Sequence, residues 1–111
     1  MVTPELLLVT VGAKTGRRRT TPLTYFTDAG RAVVVASNYG GSRHPAWYYN
    51  VLANPRVTIS AGGYTGTFVG HEASGGERDR LWNLAKDFIP SYADYERLAA
   101  GRTIPVLVFS E

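Results

Sequence analysis

Three short stretches of the chain gather the residue types that bind anions and planar rings. The first is Gly12-Ala13-Lys14-Thr15-Gly16-Arg17-Arg18-Arg19. Glycines allow a tight turn with backbone N–H groups presented outward. Lys14, Arg17, Arg18 and Arg19 add charge and forked donors suited to phosphate or carboxylate oxygens. The spacing of a Walker A loop is absent and a strand follows, so a nucleotide-triphosphate loop is not indicated. An exposed basic hairpin turn accounts for the same residues equally well.

The second stretch runs from Ser37-Asn38 through Gly40-Gly41 to His44-Pro45-Ala46-Trp47-Tyr48-Tyr49-Asn50. A strand opens into a Gly-rich loop and then enters a helix, whose first N–H groups favour polar or anionic ligands. Trp47 is flat enough to pack on a ring, although Trp47 and Tyr48 also read as core residues of the helix. His44 reads as a solvated loop histidine. The third stretch, Pro90-Ser91-Tyr92-Ala93-Asp94-Tyr95, puts Tyr92 and Tyr95 on one helical face. Their hydroxyls are suited to hydrogen-bonding a carbonyl, a nitro group or a developing anion. Simple cover for the sheet is the competing reading.

Other chemistries find little support. There is no cysteine, which removes disulfides, thiolate catalysis and Cys-ligated metals. His44 and His71 lack acidic partners at ligand spacing. Ser37 has no base at a hydrolase spacing.

Strands are expected over Glu5–Val11, Thr20–Thr27, Arg31–Ser37, Arg56–Ser60, Tyr64–Glu72 and Thr103–Phe109. Helices are expected over Ala46–Asn54, Gly75–Ile89 and Tyr92–Ala100. Ser74 with Glu77 has the spacing of a capping box, and Asp28-Ala29-Gly30 and Gly62-Gly63 read as hairpin turns. Short connections imply mostly antiparallel pairing. The expectation is an α+β fold whose six strands curl into a barrel, with about three short helices.

With 111 residues, the chain is expected to form one domain over 1–111. Its net charge of +3 is local rather than spread. The acidic residues Glu72, Glu77, Asp79, Asp87, Asp94 and Glu96 argue against a nucleic-acid-binding face. No run reaches the ~18 apolar residues of a membrane span. A reducing cytosol suits a cysteine-free chain.

The ordered set of motifs resembles the deazaflavin-dependent nitroreductase family. The likeness rests on Val11-Gly12-Ala13-Lys14-Thr15-Gly16 through Arg19-Thr20-Thr21-Pro22-Leu23, on Val35-Ala36-Ser37 with His44-Pro45-Ala46-Trp47-Tyr48 and Leu52-Ala53-Asn54-Pro55, and on Pro90-Ser91-Tyr92-Ala93-Asp94-Tyr95 with Thr103-Ile104-Pro105-Val106. It covers almost the whole chain from Leu6 onward.

The resemblance implies a split β-barrel of the FMN-binding type and coenzyme F420 as cofactor. The activity it implies is hydride transfer from the reduced deazaflavin to a quinone, enone or nitro compound. Carried over by position, Lys14, Thr15, Gly16 and Arg19 contact the cofactor's phosphate and nearby groups; Arg17, Arg18 and Thr21 are also expected to bind the cofactor, the two arginines standing at positions often uncharged in the family. Ala36, Ser37 and Asn38 line the ring pocket, with Ala46, Trp47, Tyr48 and Asn50 flanking from the helix. Tyr92, Ser37 and Tyr95 carry the catalytic assignment, and Tyr92 also touches the cofactor. The chain departs from the family at Ala13, where many members have arginine, and at Asn38, where many have lysine. Ile89 stands where some nitro-reducing members carry tyrosine. The alternatives are an FMN-binding oxidoreductase on the same fold and a non-enzymatic F420 carrier. The expected partners are a small-molecule substrate and a second copy of the chain, because 7 Tyr, 4 Phe and 2 Trp exceed what so small a core encloses. Nucleic acid and stable membrane insertion are not expected. The expected location is the cytoplasm, peripheral to the membrane if a longer N-terminus exists.

Overall fold

The first strand, β1 (Glu5–Val11), alternates cleanly. Leu6, Leu8 and Thr10 are buried, while Leu7 is 46% exposed. That two-residue period is what a sheet with one covered face requires. In the computed structural model, which describes residues 4–99 and 101–111, β1 is one of seven strands. The others are β2 (Arg18–Thr24), β3 (Phe26–Asp28), β4 (Arg31–Val35), β5 (Arg56–Ala61), β6 (Tyr64–Glu72) and β7 (Val106–Ser110). The helices are α1 (Ala46–Ala53), α2 (Gly75–Phe88) and α3 (Ser91–Leu98), with a 3₁₀ turn over Asn38–Gly40.

The strand order is β2-β1-β5-β6-β7-β4-β3, and every described pairing is antiparallel. β2 and β3 lie at opposite ends of this order, yet only Tyr25 separates them in the chain. Two edges joined by one residue cannot lie far apart, so the sheet is curled until its edges approach each other. This is a split barrel, as expected. The expected strand over Thr20–Thr27 is therefore two strands. The chain leaves one edge at Thr24, the Tyr25 N–H binds the Pro4 carbonyl at 3.2 Å, and the chain enters the other edge at Phe26.

Two core layers follow from the alternation. Leu6, Leu8, Val34, Ile59, Leu107 and Phe109 fill the barrel, and α1 caps it with Trp47, Tyr48 and Val51. On the outer side Val33, Val35, Val106 and Val108 meet Leu81, Trp82 and Ala85 of α2 and Tyr92 of α3. β4 and β7 are thus covered on both faces, which explains their unbroken apolar sequence. Each fully buried Val or Leu contributes about 1.5–3 kcal/mol.

Some element boundaries differ from expectation. β7 begins at Val106 because Pro105 has no N–H to pair; its carbonyl accepts instead from Ala36 N at 2.9 Å. Ser74 precedes α2 without any side-chain cap bond. The capping box fails because Glu77 is drawn to Arg31 and His71, at 3.2 and 3.0 Å. The expected helix end at Ala100 lies outside the described residues. The Gly62-Gly63 turn does form, with φ of 56° and 82°, the pair of positive values a two-residue hairpin needs. Pro22 sits on the edge strand β2, where a missing donor costs little.

Candidate functional site

A cleft of about 340 Å³ lies where the curled sheet fails to close. Its origin is the short length of β3, whose register with β4 stops at the Phe26–Val33 pair. Beyond that point Val34 and Val35 pair with β7 on one side only. Across the gap stands the free edge of β2, contributing Thr21, Pro22, Leu23 and Thr24. Backbone polar groups along both edges thus border the cleft without strand partners among the described residues, a polar frame that a heterocyclic ligand can use.

The far wall comes from the turn that follows β4. Ser37, Asn38 and Tyr39 line the cleft. Asn38 and Tyr39 have φ of 47° and 54°, a left-handed conformation costly for a tyrosine. The side-chain amide of Asn38 donates to the Arg43 carbonyl at 3.0 Å, which folds the Gly-rich loop back on itself. Gly40 is obligatory: its φ is +75°, and an added Cβ would stand 2.8 Å from Leu98 Cβ and 3.0 Å from the Tyr95 carbonyl.

Aromatic side chains form the remaining surface. Trp47 enters from the first turn of α1, and Tyr92 and Tyr95 from α3. The ring of Tyr92 is stacked on Trp82 at 6.3 Å and meets Tyr95 edge-on at 6.2 Å. Burial, and then the neighbouring Tyr95, push the Tyr92 phenol up to about 12. Among the described residues its hydroxyl has no hydrogen-bond partner, so it is a protonated donor with free capacity at the cleft.

The basic loop is built separately. Gly12 N donates to the Arg17 carbonyl at 2.7 Å and Gly16 N to the Gly12 carbonyl at 3.0 Å, closing the turn. Thr15 Oγ1 accepts from Arg17 N at 3.2 Å. Lys14 and Arg17 to Arg19 are exposed, and β2 runs from this loop along the cleft. Asn50 ties the loop to α1. Its Oδ1 accepts from Ala13 N at 2.9 Å and its Nδ2 donates to Thr10 Oγ1 at 3.3 Å.

The expected site residues therefore divide. Thr21, Ser37, Asn38, Trp47, Tyr92 and Tyr95 meet on one cleft. Lys14, Thr15, Gly16, Arg17, Arg18 and Arg19 form the loop at the β2 end and do not line it. Four expected residues do not line the cleft. Ala36 is 1% exposed and belongs to the barrel core. Ala46 is exposed away from the cleft lining. Tyr48 turns to the other side of α1, where its hydroxyl donates to Glu72 Oε1 at 2.6 Å; burial first, and then that carboxylate, push its phenol up to about 12. Asn50 is buried as a bridge rather than presented to a ligand. His44 is not a free loop histidine either: its ring packs on Tyr48 at 4.7 Å and its Nδ1 meets Arg102 Nη1 at 2.8 Å. Sequence reasoning missed the lining residues Glu5, Pro45 and Ser91 and the role of Arg102. Pro45 and Ser91 stood inside quoted motifs without being given a role.

Residues 1–111 match the family described as F420H(2)-dependent quinone reductase. The chain belongs to this family. Its membership agrees with the likeness read from the motifs. An F420H(2)-dependent quinone reductase of Mycobacterium tuberculosis is 39% identical over 112 residues, covering 96% of this chain and 73% of that protein. A solved F420-H2 dependent reductase superposes with a TM-score of 0.87 at 38% identity, covering 96% of this chain and 94% of that one. A further structure, described as a domain-swapped dimer, gives 0.88 at 37% identity over 99% of this chain and 82% of its own. The cleft of this F420H(2)-dependent quinone reductase family member suits a flat, polar-edged ring. It has an aromatic wall, unpaired strand edges and a volume in the usual ligand range. Among the described residues no cluster of His, Asp or Glu could hold a metal.

Proposed function

We propose that this chain is an F420-dependent reductase that binds the reduced deazaflavin in the seam cleft and reduces a quinone. The observation that carries this reading is the joining of two features by one strand: β2 forms an edge of the aromatic cleft and begins at the basic loop. Lys14 and Arg17 to Arg19 would hold the anionic half of the cofactor, while Thr21, Ser37, Asn38, Trp47 and Tyr92 border its ring. When bound, reduced F420 supplies a hydride, so the protein needs no nucleophile or catalytic triad of its own. The residues of the cleft position and polarise. Tyr92, with its proton held at the hydroxyl, would donate a hydrogen bond to an acceptor oxygen that gains negative charge; Ser37 would provide a second hydroxyl from the wall that follows β4. One such donor is worth ~3–4 kcal/mol in a dry site. Ile89 lines the cleft with an apolar side chain, which suits a quinone ring. The FMN and carrier alternatives gain no support from the family's description.

The reading includes a homodimer. Among the described residues, the outer face of β2-β1-β5 has no helix packed on it and presents Leu7, Val9, Pro22 and Thr58. Multi-angle light scattering should give about twice 12.1 kDa; the monomer mass would refute pairing. Among the described residues no helix is long and apolar enough to cross a membrane. The central test is a fluorescence titration with F420, followed by oxidation of F420H2 with a simple quinone. Absence of binding would overturn the proposal.

A further inference from the structure

Arg102 lies between α3 and β7, outside every motif quoted above, yet all the described hydrogen bonds of its side chain converge on one segment. Nε donates to the Gly41 carbonyl at 2.9 Å, Nη1 to the Ala36 carbonyl at 3.2 Å and Nη2 to the Ser37 carbonyl at 2.5 Å. Nη1 also meets Nδ1 of His44 at 2.8 Å. No carboxylate pairs with it among the described residues. A guanidinium devoted to backbone carbonyls holds a conformation rather than a charge. The held segment, 36–44, contains the left-handed Asn38 and Tyr39, which do not keep that conformation unaided. It also supplies the Ser37–Tyr39 wall of the cleft.

We propose that Arg102 is a positioning residue for the cofactor cleft, clamping the Ser37–Tyr39 wall through its carbonyls with His44 as the fourth acceptor. The proposal rests on the F420 reading of the cleft. The clamp requires neutral His44, whose Nδ1 must accept. Burial, and then the Arg102 charge, hold His44 below its usual value, while Glu72 of β6 acts in the opposite sense. From α1, Tyr48 and Tyr49 pack on the ring at 4.7 and 5.9 Å. Because the folded-state value is lowered, the clamp is intact above the ordinary histidine range and weakens only below it, as pH falls through the lowered value.

The test uses the whole chain with Arg102→Gln and Arg102→Lys. Hydrogen–deuterium exchange of the free protein reads the clamp, and F420 fluorescence titration reads its consequence. For Arg102→Gln, exchange at Gly40 and Gly41 should accelerate at least about tenfold, and F420 affinity should fall by a similar factor. Exchange across β5 and β6 should not change. Arg102→Lys, which keeps the charge but loses the fork, should recover part of both. In the parent protein, loop protection relative to the intrinsic exchange rate should fall as pH drops below the ordinary histidine range, and this response should vanish in His44→Gln. Unchanged loop exchange and affinity in both Arg102 variants would overturn the clamp while leaving the cofactor reading intact. If Arg102→Gln does not fold, unchanged exchange and affinity in Arg102→Lys would still refute the proposal. Failure of the parent protein to bind F420 would instead remove the cofactor reading, and with it this role of Arg102, even if loop exchange accelerates.

Discussion

Replacing Asn50 by alanine should show that the basic loop depends on a buried residue in α1. Asn50 is 9% exposed and makes two bonds, accepting from Ala13 N at 2.9 Å and donating to Thr10 Oγ1 at 3.3 Å. Ala13 is exposed, so water replaces its lost partner and the cost is about 0.5–1.5 kcal/mol. Thr10 is 1% exposed, and its hydroxyl oxygen cannot be rehydrated without opening the core. Leaving that group unpaired costs about 1–3 kcal/mol. The total, about 1.5–4.5 kcal/mol, corresponds to a fall in Tm on the order of 10 °C for a domain of this size. Circular dichroism melts measure it. Thr10→Val provides the partner variant, and the double mutant should be less destabilised than the sum of the two singles by about 1 kcal/mol. F420 affinity should fall in Asn50→Ala, since the Lys14–Arg19 turn loses its anchor. A Tm within about 2 °C of the parent, or strict additivity with Thr10→Val, would refute the reasoning.

The remaining expectations concern charge, backbone and chemistry. Lys14→Ala should weaken F420 binding by at least about tenfold, and added salt should narrow the difference, as titration at two ionic strengths would show. Gly40→Ala, at φ +75° with no room for a Cβ, should destabilise more than Gly62→Ala, which has φ +56° but open space; equal urea midpoints would contradict this. Arg80, and then Arg31, hold the Asp28 carboxyl at about 2, below its ordinary 3.8. Its stabilisation is therefore complete above 3.8 and lost as pH falls toward about 2, and Asp28→Asn should flatten acid unfolding in that window. Tyr92→Phe should lower kcat for quinone reduction about a hundredfold with F420 affinity unchanged, and full turnover would reduce Tyr92 to packing.

Where a residue's partners are local, its sequence was informative. The alternating run of β6 gave both ends of the strand, Tyr64 and Glu72, and the Gly62-Gly63 pair gave the turn before it. Thr20 to Thr27 was misread because Thr-Tyr-Phe-Thr is good strand sequence throughout. Only the closing of the sheet requires a change of edge at Tyr25. Glu77 had the right spacing for a cap, but Arg31, 46 residues away, outcompeted Ser74. The same limit governed the site. Aromatic and hydroxyl residues of the cleft stood out by type, whereas Asn50 and Arg102 act through partners 37 to 66 positions distant, and no local pattern records those.

The cleft walls also have a mechanical relationship. β2 and β4 are directly connected only by the short path through Tyr25 and β3. Otherwise they are linked the long way round, through five strand-to-strand junctions. The width of the opening is thus the residue of all the twist and curl accumulated around the sheet, as the gap in a bent ring is set by the curvature of its whole circumference. A substitution on β5 or β6 that alters curl slightly, with no atom near the cleft, is transmitted to its aperture. Ring-shaped ligands of different thickness would therefore distinguish such variants by affinity, even though every lining residue is the same.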